Sequence, residues 1–475
     1  MSMSGGSIGK ADYTKLDWIS LITFLCLLLI GWMMIYASGY SDFSENATPF
    51  IKTNAGKQLI AISISAFFFI LVFITDFKFW STLAYPVYLL GLFFLVLVLF
   101  FGHKVKGNTS WFQFGSVSFQ PSEFAKFGTM LAMAAFISYF KTNLKQTKSR
   151  LIAIALFFVP ILLILLQPDA GSAITFLSFF ILLFREGFNP VWYIIGLAML
   201  ALFILGIKFE PYYVIAYLVL LGASFLYAQL KKSNQHHWAL LALWILIISS
   251  YWTKLPILWL IGGLAMGLLY FALEANKQRF QKTLVILIPS ILLGALFTKG
   301  SQYAVDNFLK PHQRERINVW LRPELCDPRG NLYHVMQSKL AISSGGFSGK
   351  GFLEGTLTKL NYVPEQSTDF IFSTIGEEQG FIGILAIIGL FVLFMFRVIA
   401  IGERARNAFT RVFAYGFLGF LIIHFFINIG MTIGLMPVIG IPLPFFSYGG
   451  SSLWSFTILL FILIKLDSYR TFVLR

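Results

Sequence analysis

Charge is scarce in this sequence: only 12% of its 475 residues are Asp, Glu, Lys or Arg, against about 25% in ordinary globular domains. That scarcity excludes a chain of three soluble domains of about 150 residues each, because too few polar groups exist to cover three water-facing surfaces. Cysteine is nearly absent. There are two, Cys26 inside an apolar run and Cys326 in a distant polar stretch, so a disulfide scaffold is excluded and no bridge is expected. Acidic residues number 21 against 36 basic ones, leaving a net charge of +15. What the sequence has in quantity is apolar bulk, 57% hydrophobic with 53 Phe, 19 Tyr and 11 Trp. Disorder is excluded by the same composition. The expected class is an all-α polytopic membrane protein.

Apolar runs of about 18 residues span a bilayer as helices. Fourteen candidates occur, some with shorter apolar cores: Trp18–Ser38, Leu59–Thr75, Trp80–Phe101, Phe124–Phe140, Leu151–Gln167, Ala173–Phe184 and Val191–Ile207 in the first half. Tyr213–Leu230, Trp238–Trp252, Ile257–Ala275, Leu284–Phe297, Ile382–Phe396, Val412–Leu435 and Ser452–Ile464 make up the second. Basic residues cluster after even-numbered segments: Lys141, Lys145, Lys148 and Arg150; Lys231 and Lys232; Lys277, Arg279 and Lys282; Arg397, Arg404, Arg406 and Arg411. By the positive-inside rule those loops and both termini are cytoplasmic. The surplus charge is therefore a topology signal, and no nucleic-acid partner is expected. The polar start MSMSGGSIGKADYTKLD and the absence of a small-residue cleavage site predict a retained signal anchor.

Under this topology residues 299–370 form one large extracytoplasmic loop, with nine basic and seven acidic residues. Loops that long are uncommon unless they have a job, so chemistry is expected on the outer face. Four places carry candidate groups. Gln120-Pro121-Ser122-Glu123 opens the fourth span, with Lys126 on the same helix face as Glu123; ionisable groups at membrane depth are costly and usually functional, although a self-neutralising pair near the headgroups is the plain alternative. Gln167-Pro168-Asp169 sits between two spans, where the carboxylate could be only a helix cap. Glu365, Asp369, Glu377 and Glu378 place four carboxylates within fourteen residues, denser than capping by Thr368 or Asp369 requires. Finally, Pro442 to Ser452, including Tyr448, could build a rigid re-entrant turn or a sharp connection.

Other matches fail. Ser344-Gly345-Gly346-Phe347-Ser348-Gly349-Lys350-Gly351 lacks the first glycine and the Mg²⁺-binding hydroxyl of a P-loop. His236-His237 has no companion ligands for zinc. Gly263 and Gly267 suggest a small-xxx-small packing face.

Five ordered strings carry a resemblance: FQPSEFAK (Phe119–Lys126), QPDAGSA (Gln167–Ala173), QSKLAISSGGFSGKGF (Gln337–Phe352), VPEQSTDFIFSTIGEEQGFIG (Val363–Gly383) and NIGMTIGLMPVIGIPLPFFSYGGSS (Asn428–Ser452). Together they resemble the SEDS family (shape, elongation, division and sporulation), and PEQSTDFIF looks like its RodA-type elongation branch. The family usually has ten spans, so about four are extra here. The implied organisation is 1–188 as the N-terminal half of the core, 189–275 as extra helices, 276–298 as a core helix, 299–370 as the loop and 371–475 as the C-terminal core. One departure stands before FQPSEFAK: Ser110 precedes Trp111 where the family often has arginine, with Lys104 and Lys106 nearby.

The resemblance implies a peptidoglycan glycosyltransferase. Its substrate would be lipid II, joined into glycan strands by inverting transfer with release of undecaprenyl pyrophosphate during cell elongation, at the bacterial inner membrane. Asp369 matches the family's essential aspartate, as general base or as ligand for a divalent cation, Mg or Mn; the sequence leaves both open. Glu123 and Lys126 match the cavity pair that positions the acceptor or Asp369. Gln120, Ser122, Asp169, Glu365 and Tyr448 join them as substrate-binding candidates. Arg314, Arg316 and Lys339 are candidates for the diphosphate. Nothing resembles a transpeptidase, so the implied partners are a class B penicillin-binding protein and the elongation machinery. The rival readings are a lipid II flippase and a non-enzymatic cell-wall assembly scaffold. Nearly charge-free inner halves of the spans speak against the flippase, and the outer carboxylate cluster against the scaffold.

Overall fold

The computed structural model describes residues 16–40, 49–105, 108–114, 117–139, 141–230, 234–253 and 257–470. The chain divides into two compact units, one of residues Met1–Phe188 with Pro328–Arg475 and one of Asn189–Asp327. Both are built mainly of helices, as membrane-spanning apolar chain must be when no water can satisfy its backbone. The first unit opens with α1 (Trp18–Ser38), α2 (Asn54–Ile74), the short α3 (Phe77–Thr82) and α4 (Ala84–Phe101). It continues through α5 (Pro121–Ser138), α6 (Thr147–Leu166), α7 (Ala170–Thr175) and α8 (Phe179–Arg185). The second unit holds α9 (Val191–Lys208), α10 (Pro211–Gln229), α11 (Asn234–Thr253), α12 (Ile257–Lys277), α13 (Gln281–Asn307) and α14 (Pro311–Leu321). The first unit closes with α15 (Asn331–Ser344), α16 (Thr356–Lys359), α17 (Ile371–Arg404), α18 (Ala408–Thr432) and α19 (Gly450–Ser468).

Among the described residues, eleven helices are long and apolar enough to cross a membrane. The other three expected segments also lie in helices: α5, whose first turns carry Glu123 and Lys126; α7 with α8, interrupted by a 3₁₀ turn at Phe176–Ser178; and α11. Phe140 of the expected fourth span, and Lys106, Lys231 and Lys232, lie outside the described residues. So do 1–15 and 471–475, which contain both termini.

Two features differ from the sequence reading. A three-stranded antiparallel sheet, His103–Val105, Asn108–Phe114 and Val117–Phe119, joins α4 to α5. Its strands are too short to register in a search for long apolar runs. The segment 299–370, expected as one loop, is largely helical. α13 runs on to Asn307, and α14, α15 and α16 follow; these helices are short and polar, so hydropathy does not see them. α13, which the sequence reading gave to the core, packs within the second unit against α9 and α10.

In the first unit α18 and α19 are the most buried of the helices long and apolar enough to cross a membrane, with Phe413, Phe417 and Phe420 fully enclosed. α1 meets the returning chain at Gly31, where a Cβ would stand 2.7 Å from the Phe446 backbone. The ends of this bundle are chemically distinct. At the end where α1 starts, Asp17 caps α1 through Ser20 N–H at 3.0 Å and pairs with Arg397 and Arg404, while Arg404 also grips Asp467. Burial pushes the Asp17 carboxyl up, but Arg397, the Ser20 amide and Arg404 outweigh it and hold the group below its usual range. At the opposite end lie the C-terminus of α1 and the N-termini of α2, α17 and α19.

In the second unit Gly263 and Gly267 do form a packing face. A Cβ on either would meet Leu246 or Leu243 of α11 at 2.6 and 2.4 Å. His236 and His237 bond to Tyr270 and Tyr227.

Candidate active site

The turn before α17 carries the aspartate. Neither Thr368 nor Asp369 caps that helix: the N-cap is Phe370, with no side-chain cap bond. Instead Thr368 N–H and Phe370 N–H both donate to the Glu365 carbonyl at 3.2 Å, drawing 365–370 into one tight turn, and Thr368 Oγ1 bonds Glu365 Oε2 at 3.1 Å. Asp369 is half-buried. Its main-chain carbonyl accepts from Asn428 Nδ2 at 3.0 Å, and the same amide bonds the Ile441 carbonyl at 2.8 Å. Its carboxylate lies against Gly440, where a Cβ would come 3.3 Å from Oδ2 and where φ is +80°. A side chain at that position would be both strained and in the way.

Gly440 belongs to the irregular segment 433–449, a proline- and glycine-containing hairpin between α18 and α19. This hairpin reaches several of the candidate groups in the first unit. Gly434 lies beneath Lys339, whose Nζ would be 2.5 Å from a Cβ there. The Ile439 carbonyl packs on Gly171, next to Asp169. Tyr448 N–H donates to the Ser367 carbonyl at 2.9 Å. The Pro442 carbonyl reaches His424 Nδ1 at 3.0 Å.

His424 was not singled out in the sequence, and it completes the buried pair. Lys126 Nζ stands 2.7 Å from Glu123 Oε1 and 3.3 Å from His424 Nε2. All three residues are at most 5% exposed. A carbonyl can only accept, so the bond to Pro442 places the proton on Nδ1 and leaves Nε2 to accept from the ammonium. Phe456 and Phe420 flank the cation at 5.3 and 5.9 Å. Glu123 Oε2 is buried with no hydrogen-bond partner among the described residues. The signal for His424 was available: an ionisable residue within an apolar helix, one turn before Asn428 on the same face.

The remaining candidates fall into place around these. Gln120 Nε2 bonds Asp169 Oδ2 at 3.2 Å and Ser172 Oγ at 3.1 Å, and Ser122 Oγ bonds Ser172 Oγ at 3.2 Å. Asp169 is the N-cap of α7, accepting from Ser172 N–H at 3.0 Å and Ser172 Oγ at 2.8 Å, so the capping alternative describes its carboxylate. Arg314 and Arg316 are on α14 of the second unit, where Arg314 donates to the Asp306 carbonyl at 3.2 Å.

The glycine-rich string that fails as a P-loop has a structural occupation. α17 breaks at Gly380, whose φ of +63° and ψ of −161° interrupt the helix. Phe381 and Ile382 N–H donate to the Gly346 and Phe347 carbonyls at 3.0 and 3.2 Å, and Lys350 and Gly351 N–H donate to the Glu377 and Glu378 carbonyls at 3.1 and 2.9 Å. The string thus satisfies the backbone groups that the break exposes. Glu377 is spent on the same joint. It pairs with Lys350 at 2.6 Å and accepts from Leu357 and Thr358 N–H at 2.8 and 2.9 Å.

For a divalent ion, no group of three or more His, Cys, Asp or Glu side chains stands together among the described residues. Asp369 would offer it a carboxylate, in keeping with the habit of Mg²⁺ of taking one or two carboxylates plus substrate phosphates and water.

With this geometry established, the comparisons are specific. Peptidoglycan glycosyltransferase RodA of Treponema pallidum is 32% identical over 464 residues, covering 97% of this chain and 98% of that protein. A solved structure described as structural coordination of polymerization and crosslinking by a peptidoglycan synthase complex matches with a TM-score of 0.60 at 24% identity, covering 96% of this chain and 98% of the other. The crystal structure of Thermus thermophilus rod shape determining protein RodA matches with a TM-score of 0.55 at 20% identity, covering 96% and 97%. Residues 17–216 and 207–471 match the family described as cell cycle protein, FtsW, RodA and SpoVE, and the chain, a multi-pass membrane protein, belongs to that family.

Proposed function

We propose that this chain is a peptidoglycan glycosyltransferase that polymerises lipid II on the outer face of the cytoplasmic membrane during cell elongation. The observation that carries the proposal is the placement of Asp369. Its half-buried carboxylate faces the Gly440 turn of a hairpin that also touches Lys339 and His424, at the bundle end away from the Asp17 and Arg404 ion pairs. In this reading Asp369 takes the proton from the GlcNAc 4-hydroxyl of the acceptor as that oxygen attacks the anomeric carbon of the donor MurNAc. The bond from that carbon to the lipid diphosphate breaks, and the configuration inverts once.

Lys339, which packs on Gly434 of the hairpin, is assigned to the leaving diphosphate. Glu123, Lys126 and His424 hold the hairpin from below, and Gln120, Ser122 and Asp169 support it beside Gly171. Glu365 shapes the Asp369 turn, and Tyr448 ties the hairpin to it. A Mg²⁺ or Mn²⁺ ion at Asp369 would polarise the acceptor hydroxyl and offset charge on the diphosphate. Polymerisation leaves strands uncrosslinked, so a class B penicillin-binding protein and the elongation machinery are the proposed partners; co-purification from the native host checks this.

The direct test is the purified protein with lipid II, products separated on a gel and the assay repeated in EDTA with Mg²⁺ or Mn²⁺ restored. Glycan strands are the expected product, and their absence under every metal condition sinks the proposal. Orientation has its own expected result, with Cys26 and Cys326 first replaced. A cysteine at the exposed Ser348 is labelled in intact cells by a membrane-impermeant reagent. One at the exposed Lys148 is labelled only after the membrane is opened. Reversed labelling would put Asp369 on the wrong side for the donor.

A further inference from the structure

Beside the Asp369 turn lies a cavity of about 250 Å³, lined among others by Ser38, Gly39, Asn54, Asn361, Glu365 and Ser367. We propose that this cavity is a sugar subsite, holding an N-acetylhexosamine ring of a lipid-linked substrate next to the reacting aspartate. The inference rests on the glycosyltransferase reading and adds to it a location and a ligand class.

Three observations support it. First, among the described residues the lining is mostly polar and carries one carboxylate, Glu365, with no Lys, Arg or His. A diphosphate or the carboxylates of a stem peptide would be repelled there. Ring hydroxyls and an acetamido group, which both donate and accept, find carboxylate, amide and hydroxyl partners.

Second, the lining is built rather than incidental. Gln366, also in the wall and 6% exposed, extends Nε2 to the Ser38 carbonyl at 2.7 Å, the Thr358 carbonyl at 2.9 Å and Asn361 Oδ1 at 2.6 Å. Its Oε1 is buried and has no hydrogen-bond partner among the described residues. Asn54 Nδ2 reaches Ser367 Oγ at 3.0 Å. Asn361 and Glu365 both stand in the left-handed region, with φ of +55° and +53°. Such conformations are strained and gather at ligand sites.

Third, the cavity and the aspartate share one piece of backbone, since Phe370 N–H donates to the Glu365 carbonyl at 3.2 Å. The size agrees too. At about 250 Å³ the cavity falls just below the roughly 300–1,000 Å³ of pockets that enclose drug-sized ligands, which suits one ring and not a whole disaccharide-peptide.

The experiment uses the full chain with Cys26 and Cys326 replaced and Asn361→Cys introduced at an exposed wall position. Modification by a small hydrophilic thiol reagent is timed alone, with lipid II and with undecaprenyl pyrophosphate. Lipid II is expected to slow modification, and undecaprenyl pyrophosphate, which has the same lipid and diphosphate but no sugar, is not. Equal protection by both, or by neither, overturns the subsite. In parallel, Glu365→Gln is expected to raise the KM for lipid II about tenfold, the scale of one lost charged hydrogen bond. An unchanged KM in a folded Glu365→Gln protein overturns it as well. If the unmodified chain makes no glycan at all, the failure belongs to the underlying activity; if it polymerises while lipid II leaves the introduced thiol unprotected, only the subsite fails.

Discussion

Asp369→Asn is expected to abolish lipid II polymerisation while leaving the protein folded. The amide matches the carboxylate in volume, and α17 does not depend on that side chain for its cap. Bonds to main-chain carbonyls, from Asn428 Nδ2 to Asp369 at 3.0 Å and from two backbone amides to Glu365, help hold the turn and are open to the variant as well. What the substitution removes is the negative charge needed by a base or a cation ligand. Loss of a general base costs about 10² to 10⁴-fold in rate, so the turnover of Asp369→Asn should fall by at least two orders of magnitude. Thermal unfolding of the variant must accompany the assay, and its midpoint should stay near that of the parent. A near-normal rate in the folded variant would falsify the assignment of Asp369 to the reaction.

The second large effect is expected at Lys126→Met. Lys126 is enclosed by Glu123, His424, Phe420 and Phe456, and Glu123 already has one buried oxygen without a partner. Removing the ammonium leaves a carboxylate uncompensated inside the bundle, a change that typically costs about 3–5 kcal/mol. His424 also loses the donor to Nε2. The expected result is a clear drop in the unfolding midpoint together with a fall in polymerisation.

The double variant Glu123→Gln with Lys126→Met separates two roles for the pair. Neutralising both partners should return much of the stability, since breaking a buried pair costs more than replacing it. If the pair positions the hairpin through His424 and Pro442, activity should stay low while the midpoint recovers. Recovery of both would mean that the pair only holds the helices together. Glu123→Gln alone is expected to lie between Asp369→Asn and Glu365→Gln in activity.

Much about this protein follows from its sequence alone. Apolar runs long enough to cross a bilayer must become helices, because backbone polar groups in lipid have no other partners. Each of the fourteen expected segments accordingly falls mostly within helix among the described residues. The strings around Glu123, Asp369 and Asn428 led to the right family, and the closeness of Glu123 and Lys126 follows from their spacing of three on a helix. Small residues at Gly263 and Gly267 announced a helix contact for the same kind of reason.

Other features depend on residues far apart in the chain. Nothing local joins His424 to Lys126, or Gly440 to Asp369; those contacts exist because α18 lies against α5 and α17 and the hairpin folds back across them. The occupations of Asp169 and Glu377 were hidden in the same way. A carboxylate that caps a helix and one that faces a substrate look identical in sequence, and only the neighbours' N–H groups distinguish them. The helices within 299–370 escaped because they are polar and short, and periodicity in so few turns carries little signal. The cavity beside Glu365 is the clearest case. Its wall comes from the end of α1, the start of α2 and the Asp369 turn, three segments that share no pattern until the bundle brings them to one end.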